Sequence, residues 1–357
     1  MKIVFRVDSS SMAGSGHLSR CLVLAQRFRE IPGTLIYFVV RNLKGNVNSL
    51  ICNRGFELHE LPNHGLAERD LNGYERWLSV TQVMDAADTR EALKKIRDVQ
   101  LLVVDSYAIA DEWEKLLRPY TKKIMVIDDL ANRRHDCDYL LDQSYGGEKT
   151  QRYQGLVPLA CKTFLGGPYV LLHESYYLQQ PKVRNRIHRV IVFFGGSDDT
   201  GETLKFLHAL HDSSLQRLQF IVVVGNGNSQ KEAVELMCNE CMNVTYHCQV
   251  DNMAELLTNA DMAFGAAGSN MWERCVLGLP SIVTVTGDNQ RFIAEQVHRT
   301  GAIKLLGWYE TVYASTYARV LSQIDKLPIE RMSKAAFTVI GKSCVDEMIN
   351  SIREDLW

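Results

Sequence analysis

Short apolar runs recur along this chain, each followed by a stretch with helical spacing, and this alternation restricts the fold more than any other feature. The runs Ile3–Val7, Leu35–Val40, Leu101–Val104, Ile124–Ile127, Val190–Phe194, Phe220–Val224, Met262–Phe264 and Ser281–Val285 lack the polar alternation of a half-exposed strand. They therefore read as strands buried on both faces of parallel sheets. Helical patterns lie between them at Leu18–Arg29, Thr89–Ile96, Asp111–Leu117, Gly201–Leu210, Gln230–Cys238, Met253–Asn259 and Asn270–Leu277. Repeated strand–helix–strand units build doubly wound α/β sheets. At 357 residues the chain exceeds one such core. Between Tyr169 and Arg189 the rhythm breaks, at Pro181 and the basic run Lys182-Val-Arg-Asn-Arg-Ile-His-Arg189. Two Rossmann-like domains are expected, residues 1–172 and 190–357, joined by a linker at 173–189.

Composition excludes some partners. A net charge of −2 with 23% charged residues provides no basic field for nucleic acid or anionic lipid, so a phosphate must be held by local geometry. No apolar segment has bilayer-spanning length, and the amino terminus enters a strand without a signal-peptide pattern. The expectation is a cytoplasmic protein without nucleic-acid or membrane partners; its oligomeric state is not legible. Nine cysteines are scattered without disulfide-like spacing. Cys238, Cys241, His247 and Cys248 offer soft ligands, but the first pair ends a helical pattern and the second a strand-like one. The paired knuckles of a zinc site are missing, so no metal and no cofactor are expected.

Three turns carry candidate chemistry. In the first, the strand ending at Val7 runs into Asp8-Ser-Ser-Ser-Met-Ala-Gly14-Ser-Gly16-His17, and a helix follows. An imidazole is thereby placed at a strand-to-helix turn, where open α/β sheets bind ligands, and Gly14 and Gly16 let backbone approach a ligand. An exposed histidine at a helix start is the plain alternative, although neither capping nor the helix dipole favours one there. Asp8 could orient the imidazole or serve the turn. In the second, Gly195-Gly196-Ser197 follows a strand and can cradle a diphosphate with backbone N–H groups and the positive end of the next helix, or be a tight turn only. In the third, Gly268-Ser269-Asn270 leads into a helix with Glu273 one turn in. Either Ser269 and Glu273 form a capping box, or the loop holds phosphate while the carboxylate accepts ribose hydroxyls; the two roles are compatible.

Eight stretches occur in an order that resembles the UDP-sugar hydrolases of pseudaminic acid biosynthesis. They are Phe5-Arg-Val-Asp8-Ser with Gly14-Ser-Gly16-His17-Leu-Ser-Arg20; Val104-Asp105-Ser-Tyr107; Val126-Ile-Asp128-Asp129-Leu; Cys137-Asp138-Tyr-Leu-Leu141-Asp-Gln143; Gly167-Pro168-Tyr-Val-Leu-Leu172; Phe194-Gly-Gly-Ser-Asp198; the segment Gly265 to Pro280; and Asn289-Gln290. The resemblance implies the glycosyltransferase B-type (GT-B) fold: two Rossmann-like doubly wound domains facing across a cleft, as in the enzyme that makes lipid II. It implies hydrolysis of UDP-2,4-diacetamido-2,4,6-trideoxy-β-L-altropyranose to UDP and free sugar. In that reading His17 is the essential histidine on a mobile loop, Tyr107 and Asn289 line the sugar end, and Glu273 binds ribose. The loop Cys248-Gln-Val250-Asp251-Asn252-Met253 reads uracil through its backbone at Val250, and Gln290 completes the substrate contacts.

Hydrolysis at the anomeric carbon needs a stabilised diphosphate leaving group and a positioned water. The Gly195-Gly196 turn and the Ser269 helix end suit the first requirement, and an imidazole, which titrates near neutrality, suits the second. Direct inverting attack by water, without a metal, is the expected course. Two departures stand out: His173 replaces an arginine of the family pattern, and about 60 residues follow Asn289-Gln290. Their amphipathic end (Cys344, Val345, Met348, Ile349, Ile352) has a periodicity that permits a helix folding back over the first domain. A glycosyltransferase, a hydrolase of another nucleotide-linked amino sugar and a non-catalytic sensor are the rival readings, and the sensor would have no need of His17.

Overall fold

The computed structural model describes residues 1–64, 71, 73–144, 151–211 and 215–356. They form two α/β units: one gathers Met1–Ser144, the described residues up to Leu171 and the segment from Ser343 onward, the other Leu172–Lys342.

In the first unit seven strands form a parallel sheet: β1 (Lys2–Val7), β2 (Leu35–Arg41), β3 (Glu57–Leu61), β4 (Val99–Asp105), β5 (Thr121–Ile127), β6 (Tyr139–Asp142) and β7 (Lys162–Leu165). Their order is β3-β2-β1-β4-β5-β6-β7. The chain leaves β1 in one direction and returns at β4 to build in the other, so the gap between their carboxyl ends is the topological switch point. The apolar runs of β1, β2, β4 and β5 are covered on both faces, as their composition requires.

The second unit repeats the plan with six strands: β8 (Arg189–Phe193), β9 (Gln219–Val224), β10 (Val244–Cys248), β11 (Met262–Ala266), β12 (Ser281–Val285) and β13 (Ile303–Trp308). Their order, β10-β9-β8-β11-β12-β13, places the switch point between β8 and β11. Of the thirteen strands among the described residues, those absent from the apolar runs are β3, β6, β7, β10 and β13. Four of the five are the edge strands of the two sheets and β6 lies beside one, and β3, β7, β10 and β13 carry half-buried or exposed positions that dilute the pattern.

Two segments fall outside the strand-and-helix repeat of these sheets. The stretch 173–189, read above as a linker, is packed into the second unit. It holds the short helix Glu174–Tyr177 and the buried Arg184, whose guanidinium donates to the carbonyls of Leu257, Thr258, Ala260 and Leu277. Three of these carbonyls belong to the end of the helix Met253–Asn259, where a cation meets the negative end of the helix dipole. The closing helix, Val345–Leu356, returns to the first unit and places Val345, Met348, Ile349 and Ile352 in one core with Ile3, Leu101, Met125 and Tyr139. At its end Asp355 accepts from the Tyr139 hydroxyl at 2.9 Å and from Lys162 at 2.6 Å. Ile352 is fully buried. Ile352→Ala is expected to cost about 2–5 kcal/mol, read as a lower thermal midpoint, whereas truncation of a surface helix would cost far less.

Candidate active site

On the first unit, the turn after β1 and the carboxyl end of β4 meet at the switch point. The helix Gly16–Arg29 starts one residue before His17, which therefore sits in its first turn, 8% exposed. The reversal ahead of it is closed by mutual backbone hydrogen bonds of Ser10 and Gly14, and Gly14 takes φ +74°, a conformation natural to glycine.

The carboxylate facing His17 belongs to Asp105, the last residue of β4: Nδ1 of His17 lies 2.6 Å from its Oδ1. Arg20, one turn further along the helix, donates to the same carboxylate from Nε at 2.6 Å and from Nη2 at 2.7 Å. Its Nη1 reaches Asp129 at 2.6 Å. Tyr107 donates to the same oxygen of Asp129 at 2.8 Å and sets its ring edge-on to the imidazole, with centroids 4.6 Å apart. Burial alone would raise the Asp105 carboxyl, but Arg20 and His17 outweigh it and hold it well below the usual carboxylate range. Burial and then Asp129 push the Tyr107 phenol well up, so it remains a hydroxyl donor. An ionised Asp105 accepts the proton on Nδ1, which leaves Nε2 of a neutral His17 as a proton acceptor.

Asp8 does not orient His17. Both of its oxygens bond Arg6, at 2.7 and 2.8 Å, and Oδ1 also accepts the Arg41 backbone N–H at 2.7 Å. The buried Arg6 requires this, because its guanidinium sits in the middle of the sheet and is neutralised there by Asp8 and Asp85 together.

On the second unit, the candidate residues collect on the loops at the carboxyl edge of the sheet. After β8, Gly195 takes φ +108°, and the Gly196 carbonyl lies so close to Gly225 that a Cβ there would stand 2.5 Å from it. This contact brings in a loop that sequence reading passed over, Gly225-Asn226-Gly227-Asn228 after β9, because its glycines follow an ordinary strand without a distinctive spacing. The positive end of the helix after Gly195-Gly196-Ser197 is already occupied: Asp198 accepts from the N–H groups of Glu202 at 3.0 Å and Thr203 at 2.9 Å. Any cradle at this turn is therefore built from the loop backbone and not from the helix end.

After β11, Ser269 makes no side-chain cap hydrogen bond, so the capping box does not form. The half-buried Glu273 instead bonds Asn270 Nδ2 at 3.4 Å and the Tyr176 hydroxyl. Burial raises its carboxyl, against those two hydrogen bonds and the nearby Arg274. Tyr176 comes from the stretch read as a linker, and nothing local in the sequence pairs it with Glu273. After β12, Gln290 folds back on its own turn, where its Oε1 accepts the Thr286 N–H at 3.1 Å. Its Nε2 lies alongside Gly268, 3.6 Å from where a Cβ would stand. Asn289 packs beside Gly287 on the same turn, and Val250 follows Gln249, whose φ of +54° turns the chain out of β10. The structure thus groups His17 and Tyr107 with Asp105, Arg20 and Asp129 on the first unit. It groups Glu273, Asn270 and Tyr176, and Gln290 with Gly268, on the second. Asp105, Arg20 and Asp129 stand inside motifs visible in the sequence, but their convergence on His17 is not.

Among the described residues no three His, Cys, Asp or Glu side chains converge as metal ligands would, and no helix is long and apolar enough to cross a membrane. Residues 190–344 match the model of the glycosyltransferase family 28 C-terminal domain. Over 280 residues, 78% of this chain and 89% of the relative, the chain is 28% identical to UDP-2,4-diacetamido-2,4,6-trideoxy-β-L-altropyranose hydrolase of Campylobacter jejuni. Among solved structures, a Phytolacca americana UGT2 complexed with UDP-2-fluoroglucose and pterostilbene superposes with a TM-score of 0.71 at 11% identity, over 99% of both chains. MurG of Acinetobacter baumannii superposes with a TM-score of 0.67 at 11% identity, again over 99% of both. With its two parallel sheets, the chain has the GT-B fold, its residues 190–344 match the glycosyltransferase family 28 C-terminal domain, and it is a relative of the altropyranose hydrolase.

Proposed function

We propose that this chain is an enzyme of UDP-sugar chemistry, which hydrolyses UDP-2,4-diacetamido-2,4,6-trideoxy-β-L-altropyranose to UDP and the free sugar in pseudaminic acid biosynthesis. The observation that carries the proposal is the His17–Asp105 pair at the switch point, in a chain related to that hydrolase. Asp105 holds the Nδ1 proton, and Arg20 keeps Asp105 ionised, so Nε2 takes a proton from water. The water oxygen bonds to the anomeric carbon from the face opposite the leaving group. The bond from that carbon to the β-phosphate oxygen breaks, its electron pair leaves on UDP, and the configuration inverts. Tyr107 packs against the imidazole and fixes its plane.

UDP is assigned to the carboxyl edge of the second sheet. Glu273 accepts the ribose hydroxyls, the backbone after Val250 reads the uracil, and the turns Gly195-Gly196-Ser197 and Gly268-Ser269-Asn270 hold the diphosphate. Asn289 and Gln290 are assigned to the same substrate. No step uses a metal ion, and EDTA is expected to leave the rate unchanged.

Incubation of the protein with this substrate, followed by proton NMR, should show free UDP and reducing sugar. Intact substrate despite UDP binding would move the assignment to another nucleotide-linked amino sugar or to a glycosyltransferase. His17→Ala is expected to lower turnover by about 10²–10⁴ with UDP affinity unchanged. Glu273→Ala should do the reverse, weakening UDP in a titration while keeping Asp105 and His17 in place. Asp105→Asn is expected to reduce turnover over the same range, since an amide no longer holds the Nδ1 proton as a carboxylate does. It also has a pH signature in stability. The Asp105 carboxyl lies below its unfolded value of ~3.9, so its ionised form stabilises the native state at neutral pH. That contribution fades as pH falls through ~4 toward the folded value. The gap in thermal midpoint between wild type and Asp105→Asn should therefore narrow in acid.

A further inference from the structure

Two aromatic residues near the His17 cluster have no role in the reaction described above: Trp77 borders the imidazole, and Tyr74 borders Trp77 and Tyr107. Trp77 lies on the short helix Glu75–Leu78, and Tyr74 immediately precedes it. The Trp77 ring meets the His17 imidazole edge-on with centroids 5.9 Å apart. Tyr74 lies 4.9 Å from Trp77 and 5.5 Å from Tyr107, and Trp77 lies 5.6 Å from Tyr107. Trp77 and Tyr107 therefore border the imidazole, and Tyr74 packs against both of those rings.

In this segment Tyr74 packs partly against the core that holds Leu78 and Val80. The residues that anchor the segment are Leu71, Leu78 and Val80, each at most 2% exposed. Gln82, at the start of the next helix, donates its backbone N–H to Glu75 at 3.2 Å. Trp77 and Tyr74 stay half-buried. A tryptophan in the core of the same unit behaves differently: Trp113 is fully buried and donates its indole N–H to Asp85 at 3.0 Å. Half-covered aromatic faces next to a proton acceptor form a surface for a ligand, since such rings pair a large apolar area with little conformational freedom to lose.

We infer that Trp77, with Tyr74, is a specificity-determining wall for the apolar side of a deoxygenated, N-acylated sugar, an inference that rests on the hydrolase reading above. The sugar of that reading carries a methyl group at C6 and acetamido groups at C2 and C4, where an ordinary hexose carries hydroxyls. Methyl and C–H groups lie against aromatic faces without loss. A hydroxyl pressed against the same wall would leave water with no partner in return, which is unfavourable. The wall therefore selects the deoxygenated sugar.

The test is steady-state kinetics of wild type, Trp77→Phe and Trp77→Ala on UDP-2,4-diacetamido-2,4,6-trideoxy-β-L-altropyranose, with the inhibition constant of UDP measured for each. Trp77→Ala is expected to lower kcat/KM by about 10–200-fold, the span set by small apolar contacts in a binding pocket. The loss should fall mainly on KM, Trp77→Phe should recover most of it, and UDP inhibition should not move. Unchanged kcat/KM in Trp77→Ala, or a fall in kcat alone with KM unmoved, overturns the inference, because the rings would then be packing or would support His17. If the wild type itself releases no UDP from this substrate, the hydrolase reading is what fails, and the sugar wall falls with it.

Discussion

The first unit is organised around one buried carboxylate. Asp105 ends the strand beside β1 at the switch point and accepts from His17 and from Nε and Nη2 of Arg20. A carboxylate in that position would be unstable without cations, and a lone imidazole there would have no defined tautomer. Each group makes the other tenable. The helix Gly16–Arg29 contributes both donors from successive turns, residues 17 and 20, so a single helix placement satisfies the whole cluster. Tyr107 and Asp129 extend it by one more layer through Arg20. The charge arrangement explains why the site lies where two strands diverge. Only there do the loops after β1 and β4 have room to come together at the carboxyl edge.

A second theme is the use of buried arginine to hold backbone and sheet. Arg6 and Arg41 sit in β1 and β2 and share Asp85, while Arg184 ties the crossover stretch to a helix end and Arg274 bonds the Ala266 carbonyl at 2.6 Å. Gly265 leaves room for that guanidinium, since a Cβ there would stand 2.6 Å from its Nη1. Arg6 and Arg41 look out of place in strands made mostly of apolar residues, and the carboxylate they share explains them. They also explain why Asp8, nine residues before the candidate base, is unavailable to it: Arg6 precedes it by two residues and takes both oxygens.

The central strands of each sheet were legible because burial on two faces leaves an unbroken apolar run. Edge strands such as β3 and β13 face partly outward, lose that mark and were not read. The glycine turns after β8 and β11 were visible, whereas the Gly225–Asn228 loop was visible only through its contact with Gly196. Ser269 and Glu273 illustrate the limit of a local signature. They lie four residues apart, one more than the capping-box spacing, and Asn270 and Tyr176 engage the carboxylate instead, Tyr176 from almost a hundred residues away in sequence.

What the amino-acid sequence determined by itself is the repeated β–α alternation, the two parallel sheets and the position of His17 at a strand-to-helix turn. These follow from periodicity, a property of neighbouring residues. Tertiary structure alone decided that Asp105, 88 residues from His17, is the carboxylate it meets, and that Trp77 sets its ring edge-on to the same imidazole. Such pairings depend on which strand lies next to which, and strand order in a parallel sheet is set by crossovers whose outcome no local pattern encodes.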